Sequence, residues 1–413
     1  MADELIVSLH GQAVGRLIRS GDNDQVEFRA DDAWIRQLNA PVLGQYFLDQ
    51  PERRLKSRVR VPAWFSNLLP EGVLREFLAR RAGVNPAREF FLLAELGGDL
   101  PGAVEVQADG ALRPEADPLA NALPAKVSPG EPMKFSLAGL QLKFSAVVDG
   151  DRFRLPARGQ GGRWLLKLPD RRFPHVPRNE YAVMTWARHL GLDTAAVRLV
   201  SVKEIDGLPE EIRPGEPDVL AVERFDRLAD SRLRIHTEDF LQVLNEYPGD
   251  VTKYDAANVE SLASIVAALA GVAGLREVVL RLLFNTLTGN GDAHLKNWSL
   301  RYENPSAGRL SPAYDLVSTV QYLFNDGQAL NLSKNKRWER IELGHFDRLA
   351  ERLRRRGVIV ETATVRTWLT EFAERARAEL PVLRDSVPPE FMETLRRHWA
   401  RTPFLEQVGF VPS

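Results

Sequence analysis

Apolar and polar residues alternate along Glu4–His10 and again along Gln25–Arg29, with Gly-Asp-Asn-Asp at 21–24 between the runs. That two-residue period predicts a hairpin-type sheet at the start of the chain. A proline-bounded apolar segment, Val61–Pro70, leads into helices predicted over Glu71–Arg81 and around Pro86–Leu96. Gly97–Gly102 ends that run, and a short strand is expected at Ala103–Val106. Residues 107–132 are rich in Ala, Pro and Glu without a period, which reads as a linker. Beyond it, a small-residue turn at Ser136–Gly139 runs into an alternating strand that reaches Val148. Trp164–Pro169 and Asp218–Arg227 read as further strands, and Asn179–Gly191 as an amphipathic helix closed by glycine. Then helices dominate: Glu238–Asn245, Val259–Ala270, Leu275–Leu287, His345–Arg356, Thr362–Leu380 and Pro389–Trp399. The pattern predicts an α+β chain in four parts. Residues 1–106 form a small α+β domain, 107–132 a linker, 133–235 a β-rich part, and 236–413 a mainly helical part.

Composition narrows the function classes. Lys plus Arg total 55 and Asp plus Glu 56, so no general field draws the chain to nucleic acid. There is no cysteine, which removes disulfides, thiolate metal sites and cysteine nucleophiles together and fits a reducing compartment. The first ten residues read as a strand, not a signal peptide. The most apolar window, Leu262–Leu275, is shorter than the roughly 20 residues of a membrane span and predicts a buried helix. A cytosolic protein without membrane contact is expected.

The chemistry concentrates in Leu282–Asn297, where an apolar helix runs into Gly-Asn-Gly and then Asp292, His294 and Asn297. Gly289 and Gly291 open turn conformations closed to other residues, so the helix can stop and present a loop. Asp292 and Asn297 lie five positions apart, the interval of the kinase catalytic loop, where the Asp orients and deprotonates a hydroxyl and the Asn holds magnesium. After a short hairpin-like insert comes Asp315, in Ser-Pro-Ala-Tyr-Asp, as a second magnesium ligand. Magnesium shares oxygen ligands with substrate phosphates, so one Asp and one Asn suffice. Taken singly, each residue has a plainer reading as turn former, structural histidine or cap. It is their joint spacing that points to chemistry.

Lys167, flanked by Leu on both sides, is costly to bury unless paired, and a kinase needs such a strand lysine on the nucleotide phosphates. A strand-end lysine reaching solvent is the plainer alternative. Glu180, expected in the first turn of its helix, either pairs with Lys167 or complements the helix dipole, the second being slightly favoured. Glu223–Phe225 would form the link between two lobes, its backbone binding adenine and Phe225 stacking on it.

In this order the motifs resemble the HipA family of bacterial toxin serine/threonine kinases. The matching stretches are Ser136–Lys143, Leu166–Pro169, Asn179–Tyr181, Leu220–Arg227, His236–Phe240, Lys253–Tyr254, Gly291–Asn297 and Leu310–Ser318. The resemblance covers nearly the whole chain and implies a two-lobed, phosphoinositide-kinase-like fold with an added N-terminal domain. It implies Asp292 as catalytic base, Asn297 and Asp315 as magnesium ligands, and Lys167 on the ATP phosphates. It further implies a phosphate loop of Ala138, Gly139, Leu140, Gln141, Leu142 and Lys143. An adenine link of Glu223, Arg224 and Phe225 is implied too, with nucleotide contacts at His294, Leu295, Lys296, Asn297 and Tyr314. Ser136 corresponds to the serine that this family autophosphorylates in trans, ejecting the loop and inactivating the kinase. The implied partners are a HipB-like helix-turn-helix antitoxin, operator DNA through that antitoxin, and a protein substrate of the aminoacyl-tRNA synthetase class. Two departures stand out. Leu140 and Leu142 make the loop more apolar than usual, and Asn245 occupies a position where glycine is common.

The leading expectation is an ATP- and magnesium-dependent toxin kinase. An inert nucleotide-binding scaffold acting with a repressor would not need both Asp292 and Asp315. A metal-dependent hydrolase would want more carboxylates close together and would leave Lys167 without a role.

Overall fold

The computed structural model describes residues 3–20, 25–50, 54–110, 112, 142–155, 161–228, 233–304 and 307–410. The opening period-2 segments form an antiparallel sheet in the order Leu55–Arg58, Gln25–Ala30, Gln12–Ser20, Asp3–Leu9, Val104–Ala108. Its alternating residues Leu5, Val7, Leu9, Leu17, Val26 and Phe28 are buried against Trp64, Phe65 and the helix Glu89–Leu96. The last strand runs past the expected end at Val106: Ala108 pairs with Leu5, and the Asp109 amide donates to the Glu4 carbonyl.

A second sheet carries the next strands, in the order Ile205–Asp206, Arg152–Arg154, Lys143–Asp149, Trp164–Lys167, Asp218–Glu223, Val197–Ser201. It encloses a small core of its own, with Ala146, Phe153, Leu166, Val200 and Val219. The helix Val176–His189 packs on the sheet and turns Val183, Trp186 and Ala187 into the large core of the helical part. Glu180 lies beyond the first turn of this helix, which begins earlier than expected.

Sequence and structure differ at 238–245. A strand, His236–Asp239, pairs with Ser299–Asn304, which pairs in turn with Ala307–Leu310. The helix is only Phe240–Val243, started by a capping box of Asp239 and Gln242. Asn245 then takes φ 53, a left-handed conformation that Gly and Asn tolerate best, and its Oδ1 accepts from the Trp64 amide at 3.2 Å. That explains why this chain can carry Asn there. The Ser299–Leu310 hairpin is the insert expected between Asp292 and Asp315.

The two apolar helices predicted at 259–287 are one run, Val259–Thr288, broken at Gly271 with φ 63 and ψ −156. Counted whole it is long and apolar enough to cross a membrane, unlike the shorter window read from sequence. In this fold its buried residues, from Leu262 to Leu287, are the centre of the large core, packed by Leu343–Arg355, Thr362–Ala378 and Pro389–Ala400.

Candidate active site

The helix Val259–Thr288 stops at Gly289, whose φ of 60 and amide contacts to the Asn285 and Thr286 carbonyls form a left-handed cap. The following loop is held by its own polar groups. The Asp292 amide donates to Asn290 Oδ1 at 3.1 Å. The Asp292 carbonyl accepts from the His294 amide and from Asn297 Nδ2, each at 2.7 Å. Thr319 Oγ1 accepts from the Gly291 amide at 2.7 Å and donates to the Gly289 carbonyl at 2.9 Å, which ties the loop to the segment after Asp315. The five-residue spacing of Asp292 and Asn297 thus closes a small ring between the Asn297 side chain and the Asp292 backbone.

Asp315 reaches the same place from the other side, on a backbone with φ 54. Lys143 and Lys167 stand directly opposite each other on neighbouring strands and so share one face of the sheet. Lys167 Nζ is ion-paired with both Glu180 and Asp315, and Lys143 Nζ lies 3.3 Å from Asp315 Oδ2. Lys167 is only 2% exposed. Burial, and then the Lys143 charge, pull its ammonium down to about 8, against the attraction of Glu180. Burial lowers Lys143 as well. Glu180 is therefore the partner of Lys167, the alternative that sequence disfavoured.

Lys143, Lys167, Asn297 and Asp315 border a cavity of about 740 Å³, while Asp292 and Glu180 are buried behind its wall. Of the residues expected at the nucleotide, Lys143, Lys167, Glu223, Arg224, Phe225, His294, Lys296, Asn297, Tyr314 and Asp315 line it. The rings of Phe225 and Tyr314 both line it and touch each other, with centroids 5.6 Å apart at a 36° tilt, an apolar surface on which a flat base could stack. The amides of Glu223 and Arg224 are already given to the carbonyls of Ala196 and Arg163, which leaves the link carbonyls and Phe225 to meet a base.

Four expectations change. Leu295 is fully buried in the large core, because the 3-10 turn Leu295–Asn297 points it away from the cavity. Leu142 packs against the small β-rich core. The Arg224 side chain, although at the cavity wall, is locked between Asp99 at 2.8 Å and Asp226 at 2.9 Å, and these carboxylates raise it despite burial. Lys296 is likewise committed. It lies 2.7 Å from Asp239 and 3.4 Å from Glu71, and these acids raise it against the opposing effect of burial. Ser136, Ala138, Gly139, Leu140 and Gln141 lie outside the described residues.

Sequence reasoning missed two contributors. Tyr254 donates its hydroxyl to Asp292 Oδ1, and its ring meets His294 edge-on at 5.3 Å. It stands in the Lys253–Tyr254 pair, but no periodicity tied that pair to the loop. Glu71, with Leu68, Leu74 and Leu78, brings the N-terminal part into the cavity wall. His294 is 2% exposed, and burial, followed by the charges of Lys253 and Lys296, holds its imidazole well below the ordinary range. It is a neutral group in this site.

The donor set fits a magnesium ion shared with phosphates better than a self-contained metal cage. Among the described residues no three His, Asp or Glu side chains converge. Asp315 and Asn297 do line a cavity whose wall also carries Lys143, Lys167 and Lys296.

The family model for the HipA-like C-terminal domain matches residues 135–380, and that for the HipA N-terminal domain matches residues 5–107. The protein named "Putative kinase Y4dM" of Sinorhizobium fredii is 39% identical over 399 residues, 93% of each chain. The serine/threonine-protein kinase toxin HipA of Shewanella oneidensis is 30% identical over 295 residues, 64% of each chain. The solved complex of Shewanella oneidensis HipA with HipB and operator DNA contains a chain that superposes with a TM-score of 0.74 at 23% identity. That match spans 99% of this chain and 100% of the other, and gives the same α+β, kinase-like fold. With both domain models matched in order and a relative aligned over nearly its full length, the chain belongs to the HipA family of toxin kinases.

Proposed function

We propose that this chain is an ATP-dependent serine/threonine protein kinase and the toxin of a toxin–antitoxin pair. The observation that carries the reading is that Asn297, Asp315 and Lys167 meet at one cavity from three separate segments, with Asp292 buried beside Asn297 and Glu180 buried behind Lys167. Phe225 and Tyr314 hold the base. Lys167 and Lys143, freed from Asp315, turn to the phosphates, and Glu180 keeps Lys167 in place while it does so. Asn297 and Asp315 would hold magnesium, which would supply positive charge to the transferring phosphoryl group. Asp292 orients the acceptor hydroxyl and takes its proton as the oxygen–phosphorus bond forms and the bond to the leaving diphosphate breaks.

The remaining roles rest on the family. The acceptor is a cytosolic protein, with aminoacyl-tRNA synthetases the first class to examine. A helix-turn-helix antitoxin silences the toxin and carries it to operator DNA. Ser136 is the autophosphorylation site that shuts the kinase off between copies. A phosphoserine adds roughly −1.5 to −2 charges, which ATP phosphates repel.

One assay tests the catalytic reading. Active protein, radiolabelled ATP and an inactive Asp292→Asn copy are mixed, and phosphate is mapped by mass spectrometry. Phosphate is expected on Ser136 of the inactive copy. The Asp292→Asn protein alone should transfer roughly 10²- to 10⁴-fold more slowly while binding ATP normally. Near wild-type transfer by that variant would refute the assignment of Asp292.

A further inference from the structure

The loop hydrogen bonds described above act on the backbone of Asp292. Its carboxylate feels both charge and hydrogen bonding. Lys143 and Lys167 are both close enough to feel its charge. Tyr254, in the short helix Thr252–Asp255, places its hydroxyl on Asp292 Oδ1. A carboxylate only accepts, so the phenol is the donor. The Nε2 atom of His294 lies 3.9 Å from the same oxygen, beyond hydrogen-bond reach.

Tyr254 is itself firmly seated. It is 8% exposed, its ring abuts His294 at an interplanar angle of 83°, and its carbonyl accepts from Lys336 Nζ at 3.2 Å. Its neighbour Lys253 is buried, with Asp250 at 3.2 Å and Glu71 at 3.9 Å. The hydroxyl therefore arrives on a support fixed at three points.

We propose that Tyr254 is a positioning residue for phosphoryl transfer, holding one oxygen of Asp292 so that the other faces the acceptor hydroxyl. This inference rests on the reading of Asp292 as the base. The hydrogen bond keeps the carboxylate from swinging toward the two lysines when Asp315 leaves them for magnesium. Proton acceptance needs heavy-atom approach within hydrogen-bond range, and a misplacement of about 1 Å can cost on the order of 10²-fold in rate.

The test is the full-length Tyr254→Phe protein, which keeps the ring and its packing on His294. Transfer is measured from ATP to the Asp292→Asn copy and to dephosphorylated casein. Magnesium–ATP affinity is measured by calorimetry and Tm by scanning fluorimetry. The expected result is a kcat lowered roughly 10- to 100-fold, with ATP affinity and Tm close to wild type. A merely structural tyrosine would lower kcat, ATP affinity and Tm together, and that outcome overturns the proposal. So does an unchanged kcat. The control separates the two levels of argument. If Asp292→Asn is inactive while Tyr254→Phe is fully active, only the positioning role fails. If Asp292→Asn transfers at wild-type rate, the catalytic reading fails and this inference with it.

Discussion

Two lysines directly opposite each other in a sheet repel, and burial makes that worse. Lys143 and Lys167 are in that position, and Asp315 and Glu180 are what compensates them. Asp315 thus has two tasks, neutralising the lysines in the free protein and holding magnesium in the proposed complex. This makes Asp315→Ala informative. Removing one partner of a buried charge group typically costs about 3–5 kcal/mol, so Tm should fall clearly. The two lysines left behind still attract phosphate, so affinity for metal-free ATP should hold or rise. The gain in affinity on adding magnesium should vanish. Calorimetry with and without magnesium reads both quantities, and an intact magnesium-dependent gain would remove Asp315 from the metal site. Such pairings were only half legible in the sequence. Lys167 in an apolar strand demanded a partner, but nothing local said whether Glu180 or solvent supplied it. Lys143 was grouped with the loop before it, because cross-strand register is set by pairing that no single stretch encodes.

Elements were read best where the period is long and the ends are marked. Thr362–Ala378 and Pro389–Ala400 carry amphipathic patterns, Gly72–Ala82 is closed by Gly83, and all three lie close to the expected ranges. The strand His236–Asp239 was missed because its alternation is too short and its partner, Ser299–Asn304, is some sixty residues away. Its capping box at Asp239 and Gln242 was visible as a helix signal, but the helix starts there and not before. Glycine at helix ends can be tested as an element-level device. Gly83 and Gly289 both cap helices at positive φ, 68 and 60. A Cβ on Gly83 meets nothing within 4 Å, whereas one on Gly289 would lie 2.6 Å from Val320 Cγ1 and 3.2 Å from His398 Nε2. Gly83→Ala should therefore cost only the left-handed backbone penalty, about 1–2 kcal/mol. Gly289→Ala adds overpacking of about 1–3 kcal/mol and pushes the Asp292 loop off its support. Urea melts of both variants compare the two costs. Equal destabilisation would mean that the Val320 contact relaxes freely and does not brace the loop.

At the scale of the molecule, the N-terminal part is joined to the rest through buried polar contacts that no local pattern announced. Asp99, Arg224, Asp226 and Arg227 form one ionic cluster, and Asp226 also accepts from the Gly102 amide at 2.7 Å. Beside it, His236 and Glu238 project from one face of the strand His236–Asp239. His236 Nε2 contacts the Leu43 carbonyl at 2.8 Å, and Glu238 accepts from Trp64 Nε1 at 2.9 Å and from the Gln45 amide at 2.7 Å. Their titrations oppose each other. Burial pushes the Glu238 carboxyl up to about 7 against its three donors, including the Tyr302 hydroxyl. Its stabilisation is full below the unfolded carboxyl range and is lost as pH rises through 7. Burial pulls the His236 imidazole down to about 4, with the Leu43 carbonyl and Asp226 opposing and His10 adding slightly. Its stabilisation is full above the unfolded value of about 6.5 and is lost as pH falls toward 4. A single pH profile of the wild type would therefore blur the joint, because one group gains where the other loses. The difference between wild type and His236→Gln isolates one of them. The glutamine amide can still donate to the Leu43 carbonyl but carries no titrating group, and the Glu238 contribution is common to both proteins. The variant should gain on the wild type by about 3 kcal/mol as pH falls from 7 to 4, the value of some 2.5 units at 1.36 kcal/mol each. Parallel urea unfolding series at several pH values give that difference directly. A difference that does not change with pH would mean that His236 is not held neutral at the joint, and that the N-terminal part stays docked, or leaves, independently of it.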